Sequence, residues 1–255
     1  MKSLFFLTLP FIILACTDPA SQVYSNQASL TSEEGLFLDS LLMPKGFQVE
    51  VYGRVDNARS MAMSPDGTLF VGNKANGSVY ALQDRNNDMK ADTLYTIAKD
   101  LIMPNGIAFK DGALYVAEID KLWRYDAIED NLNDPKATLI YNDFPEDSHH
   151  GWKYIAFGPD GKLYVPVGAP CNVCETKDDT YYASIISMDA DGTNREIVAK
   201  GVRNTVGLTW HPITGEMWFT DNGRDLLGDD LPPCELNRLS AAGQHFGFPY
   251  CHAGL

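Results

Sequence analysis

Positive charge is scarce in this chain: 20 Lys and Arg stand against 34 Asp and Glu, for a net charge of −14. Phosphate backbones are gripped by basic stripes, so this balance argues against a nucleic-acid-binding surface. Long apolar runs are also scarce. One occupies residues 4–14, broken only by Thr8 and Pro10, and it is too short to span a bilayer as a permanent helix. Beyond Leu42 almost no helical periodicity occurs and glycine-rich strand-to-helix turns are missing, so a Rossmann-type nucleotide site is not supported. Cys171 and Cys174 have CxxC spacing, but no His follows Cys174, which excludes covalent c-type haem attachment.

What is present starts with Lys2 and the apolar run, which suit a signal peptide. The run ends in Ile13-Leu14-Ala15-Cys16, which resembles a bacterial lipobox. The organisation read from these features is a lipoprotein signal peptide over 1–16, a linker over 17–42 and a β-propeller domain over 43–255. The linker includes a short helix over 31–42, opened by the capped phrase Thr31-Ser-Glu-Glu. The expected location is periplasmic or outer-membrane, with membrane contact only through the N-terminal lipid. Export makes disulfides the natural reading for Cys171, Cys174, Cys234 and Cys251, with the pairing open. Zinc is the alternative, although Cys234 and Cys251 lack knuckle spacing.

A phrase repeats from Phe47 onward: an apolar stretch, a tight turn, then a second alternating apolar stretch. Its copies are Met61-Ala-Met-Ser-Pro-Asp-Gly-Thr-Leu-Phe-Val71, Ile107-Ala-Phe-Lys-Asp-Gly-Ala-Leu-Tyr-Val116, Ile155-Ala-Phe-Gly-Pro-Asp-Gly-Lys-Leu-Tyr-Val165 and Leu208-Thr-Trp-His-Pro-Ile-Thr-Gly-Glu-Met-Trp-Phe219. Asp-Gly supplies the positive φ a tight hairpin needs. The corresponding Met63, Phe109, Phe157 and Trp210 recur at spacings of 46, 48 and 53 residues, the period of propeller blades. Further strands are expected at 77–82, 121–125 and 185–188. The fold class is therefore all-β, a propeller with about four blades visible. No closing strand precedes Leu255, so the chain reads as a piece of a longer propeller of six blades.

Four stretches could carry chemistry. His149 and His150 stand on a loop just before an inner strand, where propellers place ligands; a surface His pair is the plain alternative. Gly201-Val-Arg203-Asn204 sets a guanidinium beside an amide, suited to carboxylates or quinone oxygens, or simply to stabilising a turn. Asp221-Asn-Gly223-Arg224-Asp225, with Asp229, Asp230, Glu235 and Asn237, is dense in oxygens that suit calcium, or is a solvated acidic loop. Asp84, Asn86, Asp88 and Asp92 occupy positions one, three, five and nine of an EF-hand-like calcium loop. Met89 stands where Gly is usual and no Glu stands at position twelve, so an Asn/Asp-rich hairpin tip is the alternative.

Taken in order, these phrases resemble the glucose/sorbosone dehydrogenase family, in its sorbosone-dehydrogenase-like branch. The resemblance includes the opening strand Pro44-Lys-Gly-Phe47-Gln-Val-Glu-Val-Tyr52 and the phrase Phe246-Gly-Phe-Pro-Tyr250, and it covers residues 43–255. It implies an oxidoreductase that oxidises a sugar, aldose or sorbosone-like aldehyde by hydride transfer to pyrroloquinoline quinone, with calcium. His150 would be the general base, with His149 beside it as the other candidate. Arg203 and Asn204 would contact the quinone, and the carbonyls of Gly223 and Arg224 would ligate its calcium. Glu235, with the carbonyl region around Phe246, would mark a structural calcium. Family members that oxidise glucose usually carry an Asp after the Gly matching Gly168, where it orients the His; Ala169 stands here. The electron acceptor is open. Two other readings are a calcium-dependent lactonase resembling the gluconolactonase propellers and a non-catalytic surface propeller that binds glycans or proteins.

Overall fold

The computed structural model describes Tyr24–Ser25, residues 37–176, residues 181–251 and Ala253. The signal segment and Cys16 lie outside the described residues. Two compact units result, Met1–Tyr52 and Gly53–Leu255. In the first, β1 (Tyr24–Ser25) pairs antiparallel with β2 (Met43–Pro44). The helix expected over 31–42 is represented among the described residues only by a 3₁₀ turn at Leu38–Ser40, without a side-chain cap. The capped phrase that motivated it falls outside them, as does most of the linker. Of the expected opening strand, only Pro44 lies in a strand, at the end of β2; residues 47–52 form none.

In the second unit every repeated phrase folds into an antiparallel hairpin, and outer strands complete each sheet. Blade 1 is β3 (Ala58–Met63), β4 (Leu69–Asn73), β5 (Val79–Gln83) and β6 (Thr93–Ala98), hydrogen-bonded in that order. Blade 2 repeats it with β7 (Gly106–Lys110), β8 (Ala113–Ala117), β9 (Leu122–Tyr125) and β10 (Ala137–Tyr141). Blade 3 has β11 (Ala156–Phe157), β12 (Leu163–Val167), β13 (Ser184–Met188) and β14 (Glu196–Lys200). Blade 4 has β15 (Leu208–Trp210), β16 (Met217–Asp221) and β17 (Glu235–Leu239). A last strand, β18 (Gln244–His245), runs parallel to β14 on the outer edge of blade 3. The turn between β7 and β8 shows why Asp-Gly recurs: Asp111 and Gly112 have φ of 50° and 78°, the two positive values of a two-residue hairpin loop.

The core lies between blades. Successive side chains of a strand point to opposite faces. A middle strand with a blade on either side must therefore be apolar at every position. In β8, Leu114 and Val116 pack with Phe70, Val79 and Ala81 of blade 1. The alternate residues Ala113, Tyr115 and Ala117 pack with Leu163, Val165 and Val167 of blade 3. A third layer joins Ile185 and Ala199 of blade 3 to Leu208, Met217 and Phe219 of blade 4. Each buried Leu, Ile or Phe contributes about 1.5–3 kcal/mol of transfer free energy. These layers make a rigid base from which one set of loops projects: those after each second strand and those linking successive blades.

Candidate active site

Those loops surround an open cavity of about 490 Å³, lined by Ser148, His149, His150, Trp152, Arg203, Asn204, Asn222 and Asp225. The structure thus brings together both histidines and the Arg203-Asn204 pair, which stand on the inter-blade loops before β11 and β15. His150 has a left-handed φ of 53° and is 9 % exposed. Its Nδ1 lies 2.9 Å from the carbonyl oxygen of Ala169. A carbonyl can only accept, so Nδ1 carries the proton and Nε2 keeps its lone pair. The position at which an Asp would orient the ring is filled here by its own main chain. Burial first, then the nearby Arg203 charge, lowers the His150 pKa to about 4, so the imidazole is neutral at pH 7. The His149 ring packs at 4.0 Å from it, tilted by 46°.

Arg203 is 2 % exposed and all five of its donors are used. Nε and Nη2 reach the carbonyl and side-chain oxygens of Asn172, each at 2.9 Å. Nη1 reaches the carbonyls of Asn222 at 3.1 Å and Gly223 at 2.8 Å, and Nη2 also reaches Asp225 at 2.8 Å. The guanidinium therefore ties three loops together and has no N–H left for a ligand. The Asn204 side chain has no hydrogen-bond partner among the described residues, so its amide is the polar group that this pair offers to the cavity. Asp221 braces the same turn, accepting the backbone N–H groups of Arg203 at 2.9 Å and Asn204 at 2.6 Å. Burial dominates over those two hydrogen bonds and raises the Asp221 pKa to about 6.

Asn172 enters this network because Cys171 and Cys174 form a disulfide that closes a short loop around it. Cys234 and Cys251 are free and exposed, so the disulfide expectation holds for one pair and fails for the other. Glu235, Gly223, Phe246 and Asp221 meet around a pocket of about 10 Å³, room for one water-sized occupant. Glu235 accepts hydrogen bonds there from Ala253 N–H and from the Asn237 amide. Arg224 has a buried Nε without a partner among the described residues. Asp84, Asn86, Asp88 and Asp92 share the β5–β6 hairpin at the opposite end of blade 1. Asp84 accepts main-chain N–H groups from Asn86, Asn87, Asp88 and Met89. Met89 adopts a φ of 67°, the left-handed conformation for which Gly is usual at that position. Among the described residues no three His, Cys, Asp or Glu side chains are grouped to hold a metal ion.

The donor set fits a flat organic cofactor better than a calcium ion beside it. Asn204 offers a free amide and His150 a neutral ring, and Trp152 adds an indole that already carries Lys74 over its ring. The Gly223 carbonyl, by contrast, already accepts a hydrogen from the Arg203 guanidinium, a positive charge that disfavours a second cation on the same oxygen.

Trp152, Lys153 and Asn172 were given no role by sequence reasoning, and Ala169 entered it only as the residue that stands where an Asp would orient the His. Lys153 is 1 % exposed and donates to the Gly151 carbonyl at 2.6 Å, one residue past His150. Its own carbonyl accepts from Asn105 of blade 2 at 2.7 Å. Burial lowers its pKa to about 7. The signal for it was a charged residue three positions before an inner strand.

An uncharacterized protein of Borreliella burgdorferi is 32 % identical over 239 residues, which cover 88 % of this chain and 60 % of that protein. The calcium structure of a Trichoderma reesei carbohydrate-active enzyme of family AA12 has a TM-score of 0.65 at 19 % identity, covering 76 % of this chain and 56 % of that one. The PQQ-bound aldose sugar dehydrogenase of Streptomyces coelicolor has a TM-score of 0.61 at 20 % identity, covering 78 % and 64 %. At those identities the likeness shows the propeller fold, and this chain spans somewhat over half the length of such proteins. The TrAA12-like family model matches residues 41–255, and the chain belongs to that family of β-propeller proteins.

Proposed function

We propose that this chain carries the base-bearing part of a quinone-dependent sugar dehydrogenase, acting on an aldose or a sorbosone-like aldehyde. The observation that supports it is His150: buried, neutral, fixed through Nδ1 by the Ala169 carbonyl and part of the cavity lining, with Nε2 left free. A neutral imidazole with a free Nε2 takes the proton of a sugar hydroxyl as the hydride leaves the same carbon. The quinone, when bound, supplies the hydride acceptor. Asn204 would bind it through its free amide, and Arg203 would act indirectly, by fixing the Asn172 and Gly223 loops around the cavity. Relatives of the same fold include aldose sugar dehydrogenases, which favours this chemistry. Calcium belongs to the reading at two places, the Asp84–Asp92 hairpin and the Glu235 pocket; a calcium-dependent rise in Tm that disappears on Asp84→Ala or Glu235→Gln would assign each.

Export and lipid anchoring at Cys16 complete the proposal, checked by palmitate labelling that Cys16→Ala removes. The function itself is tested by adding the quinone and calcium to the full-length protein and following dye reduction over a sugar panel. Turnover lost in His150→Ala supports the dehydrogenase; no turnover and no spectral change of the quinone would sink it.

A further inference from the structure

Trp152, two residues past His150, carries two cations that no carboxylate among the described residues balances. Lys74 Nζ lies 3.6 Å from the centre of the indole ring, and Arg59 Cζ lies 5.8 Å from it. Lys74 stands on the β4–β5 turn and Arg59 at the start of β3, so blade 1 delivers both to a side chain of the loop before blade 3. The two charges lie within one Debye length of each other, about 10 Å at 0.1 M salt. Among the described residues neither is within ion-pair distance of an Asp or Glu, in a chain where acids outnumber bases 34 to 20. The cavity offers no compensation either. Its one lining carboxylate, Asp225, is already paired with Arg203. The ring quadrupole attracts each cation but does not remove their mutual repulsion. An anion beside them does.

We propose that Arg59, Lys74 and Trp152 form a carboxylate-binding subsite at the edge of the cavity, and that the sugar oxidised there is an acidic one, of the uronate class. The sugar assignment rests on the dehydrogenase reading; the carboxylate subsite does not. A carboxylate of the quinone is the other source of the same chemistry, and binding measurements separate the two.

Calorimetry on the full-length protein without cofactor compares galacturonate with galactose. Galacturonate is expected to bind about tenfold tighter, equivalent to two partly desolvated ion contacts. The preference should vanish in the Arg59→Gln/Lys74→Gln double variant and at about 0.5 M NaCl, where the Debye length is a few ångströms. Lys74→Arg should keep it, and unchanged far-ultraviolet dichroism certifies folding. If the sugars bind alike and the double variant instead weakens quinone binding, the sugar-acid part is overturned and the subsite is assigned to the cofactor. If neither affinity responds, the subsite is overturned. Galacturonate binding without dye reduction keeps the subsite and removes the dehydrogenase.

Discussion

The imidazole of His150 depends on three neighbours of different kinds: the Ala169 carbonyl sets its tautomer, Gly168 gives it room, and Arg203 helps to keep it unprotonated. Because a carbonyl does the orienting, Ala169→Ser should leave kcat within about threefold of the parent, whereas His150→Ala should lower it by about 10²–10⁴, the usual worth of a positioned base. A methyl group on Gly168 would sit 2.5 Å from the His150 Cβ and 2.8 Å from its carbonyl oxygen. Gly168→Ala is therefore expected to reduce turnover at least tenfold and to cost about 1–3 kcal/mol, read from kinetics and from urea unfolding. The pH behaviour follows from two opposed shifts. The unfolded chain protonates His150 near pH 6.5 and the folded one only near 4, so this group makes stability fall as pH drops through that window. Asp221 keeps its proton to about pH 6 when folded, so its contribution falls as pH rises from 3.8 to 6. Between pH 4 and 6 the slopes offset. Asp221→Asn removes the second one, and its Tm should then climb with pH more steeply than that of the parent.

At the scale of elements, the loops at the cavity are held by one another more than by their own strands. The 171–174 loop holds Asn172 against Arg203, and Arg203 in turn holds the 222–225 segment. So short a covalent loop contributes about 2 kcal/mol at most through chain entropy. Cys171→Ser with Cys174→Ser should accordingly shift Tm by only a few degrees and still weaken cofactor or substrate binding several-fold, a split seen by comparing melting with titration. Lys153 acts similarly on the His150 loop. Lys153→Met, close in volume, removes the brace on the Gly151 carbonyl. At pH 8 the amine, with its pKa near 7, is already mostly neutral, so the stability lost there should be about 1 kcal/mol, the worth of one hydrogen bond. Turnover should fall about tenfold as the His150 loop loosens.

Over the whole blade array, the layers between blades are closed and the two outward faces are not. Met61, Met63 and Leu94 of blade 1 are exposed, as is Leu236 of blade 4. Contiguous exposed apolar side chains on sheet faces drive association. The 255-residue polypeptide on its own is expected to elute as more than a monomer and to bind an apolar dye. Met61→Lys with Leu236→Lys should reduce both in size-exclusion and fluorescence measurements.

The repeat, its period and its hairpin turns were determined by sequence alone, because Asp-Gly geometry and period-2 alternation are local properties. Strands expected at 77–82, 121–125 and 185–188 became β5, β9 and β13 with their ends moved by a residue or two. The position of His150 before an inner strand was legible for the same reason. Its orienting partner was not: a backbone carbonyl has no residue identity to read, and Ala169 looks like a missing Asp until the chain is folded. The destination of Arg203 was likewise hidden, since a guanidinium beside an amide suits a ligand and a loop network equally. Tertiary structure alone decided which oxygens lay nearest to it, which two of the four cysteines after Cys16 met, and that Arg59 and Lys74 would reach Trp152 across the mouth of the cavity.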